Sequence, residues 1–106
     1  MRGNVRSQVA LAVLFSFAGI MSFAQSSGET VYKSKCQMCH GATGAADTPT
    51  AKMLKVKPVS DPDIKKLTAD QMFDAVKNGK GKMPAYKDKL SDDQIKDAVG
   101  FYRGLK

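Results

Sequence analysis

The chain has two cysteines and one histidine, and all three fall within five residues: Cys36-Gln37-Met38-Cys39-His40. Two thiols three positions apart lie near one face of a helical turn. From there they can form thioethers to the two vinyl groups of a porphyrin, and the adjacent imidazole can reach its iron from the same face. C-x-x-C-H is the attachment sequence for covalent haem. Other chemistries fit less well. A thioredoxin-type C-x-x-C needs a βαβ setting, and no such pattern is present. A plain disulfide leaves His40 unexplained. Zinc would lack a fourth ligand and would crowd the neighbouring Cys39 and His40.

If His40 takes one side of an iron, the other side needs a ligand, and no second histidine exists. After residue 24 there are four methionines, Met38, Met53, Met72 and Met83. Met38 sits inside the attachment turn and cannot reach the far face. Met72 stands at a core position of a helical pattern and reads as packing. Met53 is a distant second choice. Met83 lies in Lys80-Gly81-Lys82-Met83-Pro84-Ala85-Tyr86, where Gly81 permits close backbone approach to a flat ligand and Pro84 stiffens the loop beyond the sulfur. A His40/Met83 iron has no vacant position, and a thioether raises its potential. That combination suits electron transfer and argues against oxygen activation.

The elements that must position these groups are helical. Ser26…Glu29, Thr68…Gln71 and Ser91…Gln94 each carry a hydroxyl followed three residues later by Glu or Gln, the signature of a capped helix start. Leu67 and Leu90 precede the second and third, placed for hydrophobic staples. Asn78-Gly79 ends the second helix. Thr48-Pro49 opens a short helix through Lys55, and Ser60-Asp61-Pro62 opens a single turn. No sustained period-2 run is present. The expected class is all-α, with three main helices, short helical turns and long loops.

Residues 1–24 read as an export signal outside this fold. Arg2 and Arg6 form a basic head, Val9–Ile20 is an apolar run of 12 residues, and Ser22-Phe23-Ala24 offers a cut after Ala24. The alternative is a retained membrane anchor, but the run falls short of the ~20 residues that a span needs. Cleavage leaves one domain, Gln25–Lys106, 82 residues with 15 basic and 10 acidic side chains, a net charge of +5. So short a chain seldom builds a sufficient core without a staple, metal or cofactor.

On these residues the chain resembles the class I c-type cytochromes, in particular the small soluble bacterial monohaem type, over the whole of residues 25–106. Gly28 and Tyr32 precede Cys36 where that family has a small residue and an aromatic on its first helix, and Phe101 or Tyr102 resembles the aromatic that crosses there. Residues 78–86 are similar to the family's methionine-ligand loop. The resemblance implies a cytochrome c fold around one covalently bound haem c and its iron, with Tyr86 packing in the haem pocket. It also implies a proline carbonyl on the His40 Nδ1; Pro49 is the candidate, although the same residue can instead open the short helix.

The expected function is that of a periplasmic one-electron carrier cycling between Fe(III) and Fe(II), a monomer and not an enzyme, with no membrane span after cleavage. The alternative is a haem enzyme or gas sensor with a displaceable sixth ligand. Lys33, Lys35, Lys80, Lys82, Lys87 and Lys89 flank the two ligand segments, so the expected partners are redox proteins with acidic docking surfaces. No basic stripe interleaved with aromatics is present, which argues against nucleic acid.

Overall fold

A computed structural model describes residues 23–106. Most of the export signal expected at 1–24 lies outside them. The elements follow one another as α1 (Phe23–Val31), a π-helical turn (Tyr32–Cys36), α2 (Gln37–His40), α3 (Pro49–Leu54), α4 (Pro62–Lys65), α5 (Ala69–Asn78) and α6 (Asp92–Arg103). Among the described residues there is no strand, only an isolated bridge between Lys80 and Met83. The fold is all-α, with α1 to α2, α5 and α6 as its main members.

Most helix starts lie where the sequence places them. Thr68 and Ser91 form complete capping boxes with Gln71 and Gln94. Leu90 is buried with Ile95 in one cluster, and Leu67 packs against that cluster beside Met72, as staples require. Thr48 caps α3 with Pro49 at its first position, and Asp61 caps α4 with Pro62 in the same role. The first helix differs. It is already helical at Phe23, so Ser26 lies inside α1 and not at its start. No glycine or proline separates Phe23 from Ser26, so nothing stops the helix from running through that stretch.

α1 crosses α6, and α5 packs on α6. The close crossing explains Gly28: a Cβ there would collide with the Asp97 carbonyl oxygen and lie 3.4 Å from the Phe101 Cβ. Tyr32, one turn on, packs with its ring 5.2 Å from that of Phe101. The core cluster is Val31, Met72, Leu90, Ile95, Ala98 and Val99, with Ile95 fully enclosed. It is small, and it forms one wall of a cleft that the chain leaves open.

Candidate haem site

The attachment motif sits where the helix changes register. In the π turn the Gln37 N–H bonds back to the Tyr32 carbonyl, five residues earlier. One extra residue per turn re-aims everything after it by roughly 100°. α2 then carries Cys39 and His40. Three hydroxyls hold the segment. Tyr32 Oη donates to the Gly41 carbonyl at 2.6 Å in a buried bond. Thr48 Oγ1 donates to the Met38 carbonyl at 2.7 Å while accepting from the Ala51 N–H. Tyr86 Oη donates to the Lys35 carbonyl at 3.2 Å.

The motif faces a cleft of two lobes, about 370 and 240 Å³ in volume, which share Cys36, His40, Lys80 and Met83 as lining. The larger lobe runs between the π-helical turn, α5 and α6, past Leu67, Met72, Val76, Val99 and Tyr102. The smaller one holds Cys39, Leu54, Val56 and Tyr86. Packed cores leave few voids larger than a water molecule, so an apolar cleft of this size is room for a group that the chain does not itself provide.

The donors fit a haem. Both cysteines are free thiols, and burial, then the neighbouring Cys39, pushes the Cys36 thiol up to about 11. Burial holds the His40 imidazole below its usual range, so it is neutral, as a metal ligand must be. Its ring lies 5.2 Å from that of Tyr102, nearly edge-on. Phe101 therefore meets Gly28 and Tyr102 meets His40, which divides between two residues a role that the sequence left to either.

His40 Nδ1 is buried with no hydrogen-bond partner among the described residues. The bond expected from it to the Pro49 carbonyl is thus not present. Pro49 occupies the first position of α3, where its carbonyl points along the helix axis.

The methionines separate clearly. Met83 lines both lobes. Met72 is buried, lines only the larger lobe, and has the Arg103 guanidinium 3.8 Å from its sulfur. Met38 and Met53 are each 71 % exposed and line neither lobe. The Met83 loop folds on itself through reciprocal backbone bonds between Lys80 and Met83, both 3.0 Å. Within the chain Gly81 supplies a φ of +59° to that turn and has open space around it; the tight approach falls at Gly79, where a Cβ would stand 3.0 Å from the Met83 carbonyl oxygen. Tyr86 lines the smaller lobe.

Sequence reasoning missed the π turn, the hydroxyl bonds onto the motif, and the Lys57–Asp63 ion pair, 2.8 Å long, at the larger lobe. Only Tyr32 and Tyr86, as aromatics near the ligand segments, left a signal for any of them.

Residues 23–101 match the family described as cytochrome C oxidase, cbb3-type, subunit III. A cytochrome c6 of Leptolyngbya boryana is 39 % identical over 72 residues, covering 68 % of this chain and 81 % of the relative. The chain belongs to the class I c-type cytochromes. Another relative of this cytochrome, a cytochrome c-551 of Halorhodospira halochloris, is 33 % identical over 78 residues, covering 70 % of this chain and 91 % of its own. Among solved structures, the KustC0563 c-type cytochrome superposes with a TM-score of 0.68 at 26 % identity, covering 74 % of this chain and 96 % of that one. Cytochrome c6C from Synechococcus sp. PCC 7002 gives 0.55 at 26 % identity, with 73 % and 90 % covered. The cytochrome accordingly takes haem c, iron included, as a covalently bound cofactor and is a monohaem electron carrier that exchanges electrons with redox partners.

Proposed function

We propose that this cytochrome is an exported carrier of single electrons in which Cys36 and Cys39 hold the haem through thioethers and His40 and Met83 take the axial positions on its iron. The observation that carries the reading is the convergence of Cys36, His40 and Met83 on one cleft. When bound, haem supplies an iron that cycles between Fe(III) and Fe(II). The chain's part is to keep His40 neutral, to enclose the group in an apolar cleft, and to fill the sixth position with a thioether that favours the reduced state. An iron so filled has no site for a substrate, so the protein acts as a carrier and not as an enzyme.

Residues 1–24 direct export to the periplasm and are removed, leaving the domain 25–106. No helix among the described residues is long and apolar enough to cross a membrane. Lys35, Lys80 and Lys82 rim the smaller lobe beside the cysteines, whereas the ion pairs among the described residues engage Lys33, Lys57 and Lys77. Three lysines without ion pairs around the thioether side suit an acidic partner.

The absorption spectrum of the purified exported protein tests the assignment. A methionine–sulfur charge-transfer band in the ferric form, and a ferrous form indifferent to carbon monoxide, are expected. Ready carbon monoxide binding would instead mark an open or displaceable sixth position and favour a haem enzyme or gas sensor.

A further inference from the structure

The five-residue motif is bracketed by two tyrosine hydroxyls. Tyr32 bonds the carbonyl just after His40, and Tyr86 bonds the carbonyl just before Cys36. The two brackets differ in origin. Tyr32 belongs to the same helical run as the motif. Tyr86 comes from the loop that carries Met83, 51 residues along the chain from Lys35. It is also the point where that loop is tied to the rest of the fold: its N–H donates to the Val76 carbonyl at the end of α5, and its own carbonyl accepts from the Leu90 N–H ahead of α6. Between Gly79 and Tyr86 the remaining backbone bonds join Lys80 to Met83, inside the loop itself. The hydroxyl of Tyr86 is therefore a side-chain bond that spans from the Met83 loop to the attachment segment, across the smaller lobe that both residues' neighbours line.

We propose that Tyr86 is a positioning residue, a latch whose hydroxyl, held on the Lys35 carbonyl, keeps the Met83 loop closed over the cleft and so limits replacement of Met83 by outside ligands. This rests on the reading of Met83 as an axial ligand. It assigns the hydroxyl a role beyond the packing contributed by the ring, since phenylalanine would preserve the packing and lose the latch. Loss of one such bond shifts an open–closed equilibrium by a factor of roughly 3 to 10.

Imidazole binding to the ferric holoprotein, followed in every variant by the shift of the main haem absorption band and, where Met83 is present, by loss of the methionine–sulfur band, reads that equilibrium directly. Tyr86→Phe is expected to bind imidazole roughly 3 to 10 times more tightly than the wild type. Ile95→Val serves as a matched control, because Ile95 is fully enclosed, lines neither lobe and destabilises the whole fold when shortened. It is expected to leave imidazole affinity unchanged. If Tyr86→Phe binds no more tightly than wild type, or if Ile95→Val tightens binding as much, the latch is overturned. Met83→Ala separates the two readings: it should bind imidazole most tightly of all. If it does and Tyr86→Phe does not move, only the latch fails; if Met83→Ala itself is unchanged, the ligand reading fails and the latch with it.

Discussion

The attachment segment and the Met83 loop face the same cleft but are built in opposite ways. Residues 35–40 continue a helix, are held together with Gly41 by hydroxyls from Tyr32, Thr48 and Tyr86, and place Tyr32 almost wholly out of solvent. Residues 79–86 have no helix, close on themselves through two backbone bonds, and expose Lys80, Gly81, Lys82, Pro84 and Ala85. One side is anchored by side chains from three places in the fold. The other is a loop laid as a flap over the cleft, tied to the fold at its C-terminal end by Tyr86. A carrier needs both: a fixed side so that the cofactor does not leave, and a second side whose ligand can be supplied by a loop because covalent retention no longer depends on it.

The sharpest way to break the comparison is to remove retention itself. The double variant Cys36→Ala, Cys39→Ala should lose all haem on denaturing electrophoresis, where the wild type should keep it. A wild-type band without haem would show that the attachment segment does not do what its geometry allows. On the opposite side, Met83→Ala should keep the haem through the same gel yet lose the methionine–sulfur band, lower the potential and bind carbon monoxide. Met53→Ala, at an exposed position outside both lobes, should leave that band intact. The reverse pattern would move the sixth ligand to α3.

The asymmetry should also be visible in stability. Tyr32→Phe removes a buried bond of 2.6 Å and leaves the Gly41 carbonyl without that donor, which costs about 1–3 kcal/mol. Tyr86→Phe removes an exposed bond of 3.2 Å, and its cost to global stability is under about 1 kcal/mol. Denaturant midpoints of the two holoproteins measure this. Equal losses would mean that the two sides are held alike.

How much of this was legible in the sequence follows from the range over which each interaction acts. Capping boxes at Thr68 and Ser91, and the prolines opening α3 and α4, are settled within four residues, and they lie where the local pattern places them. The Cys36–His40 motif is likewise local, since its three groups fall within five residues. The π turn is different: it is a choice between hydrogen bonds four or five residues back, and nothing in Tyr32-Lys33-Ser34-Lys35-Cys36 marks it. The Tyr86–Lys35 bond joins residues 51 apart and exists only once α5 has brought the loop round. Pro49 shows competition between two local rules. It had a helix start and a histidine nitrogen to serve; it opens α3 behind Thr48, and His40 Nδ1 has no partner among the described residues.

The smallest effect concerns the surface that the two regions share. Lys35, from the anchored side, and Lys80 and Lys82, from the flap, rim the smaller lobe together. If this rim steers an acidic redox protein, the association rate should fall steeply with ionic strength, because the Debye length shrinks from ~30 Å at 0.01 M salt to ~8 Å at 0.15 M. Lys80→Glu with Lys82→Glu should slow association at low salt by roughly tenfold. Lys65→Glu with Lys66→Glu makes the same change in net charge at the end of α4, where neither residue lines a lobe, and should slow it far less. Stopped-flow electron transfer at two salt concentrations measures both. Net charge alone predicts equal slowing, so a difference between the pairs locates docking at the thioether edge. Equal slowing would reduce the basic rim to a solvated surface and leave the flap with the single task of holding its ligand.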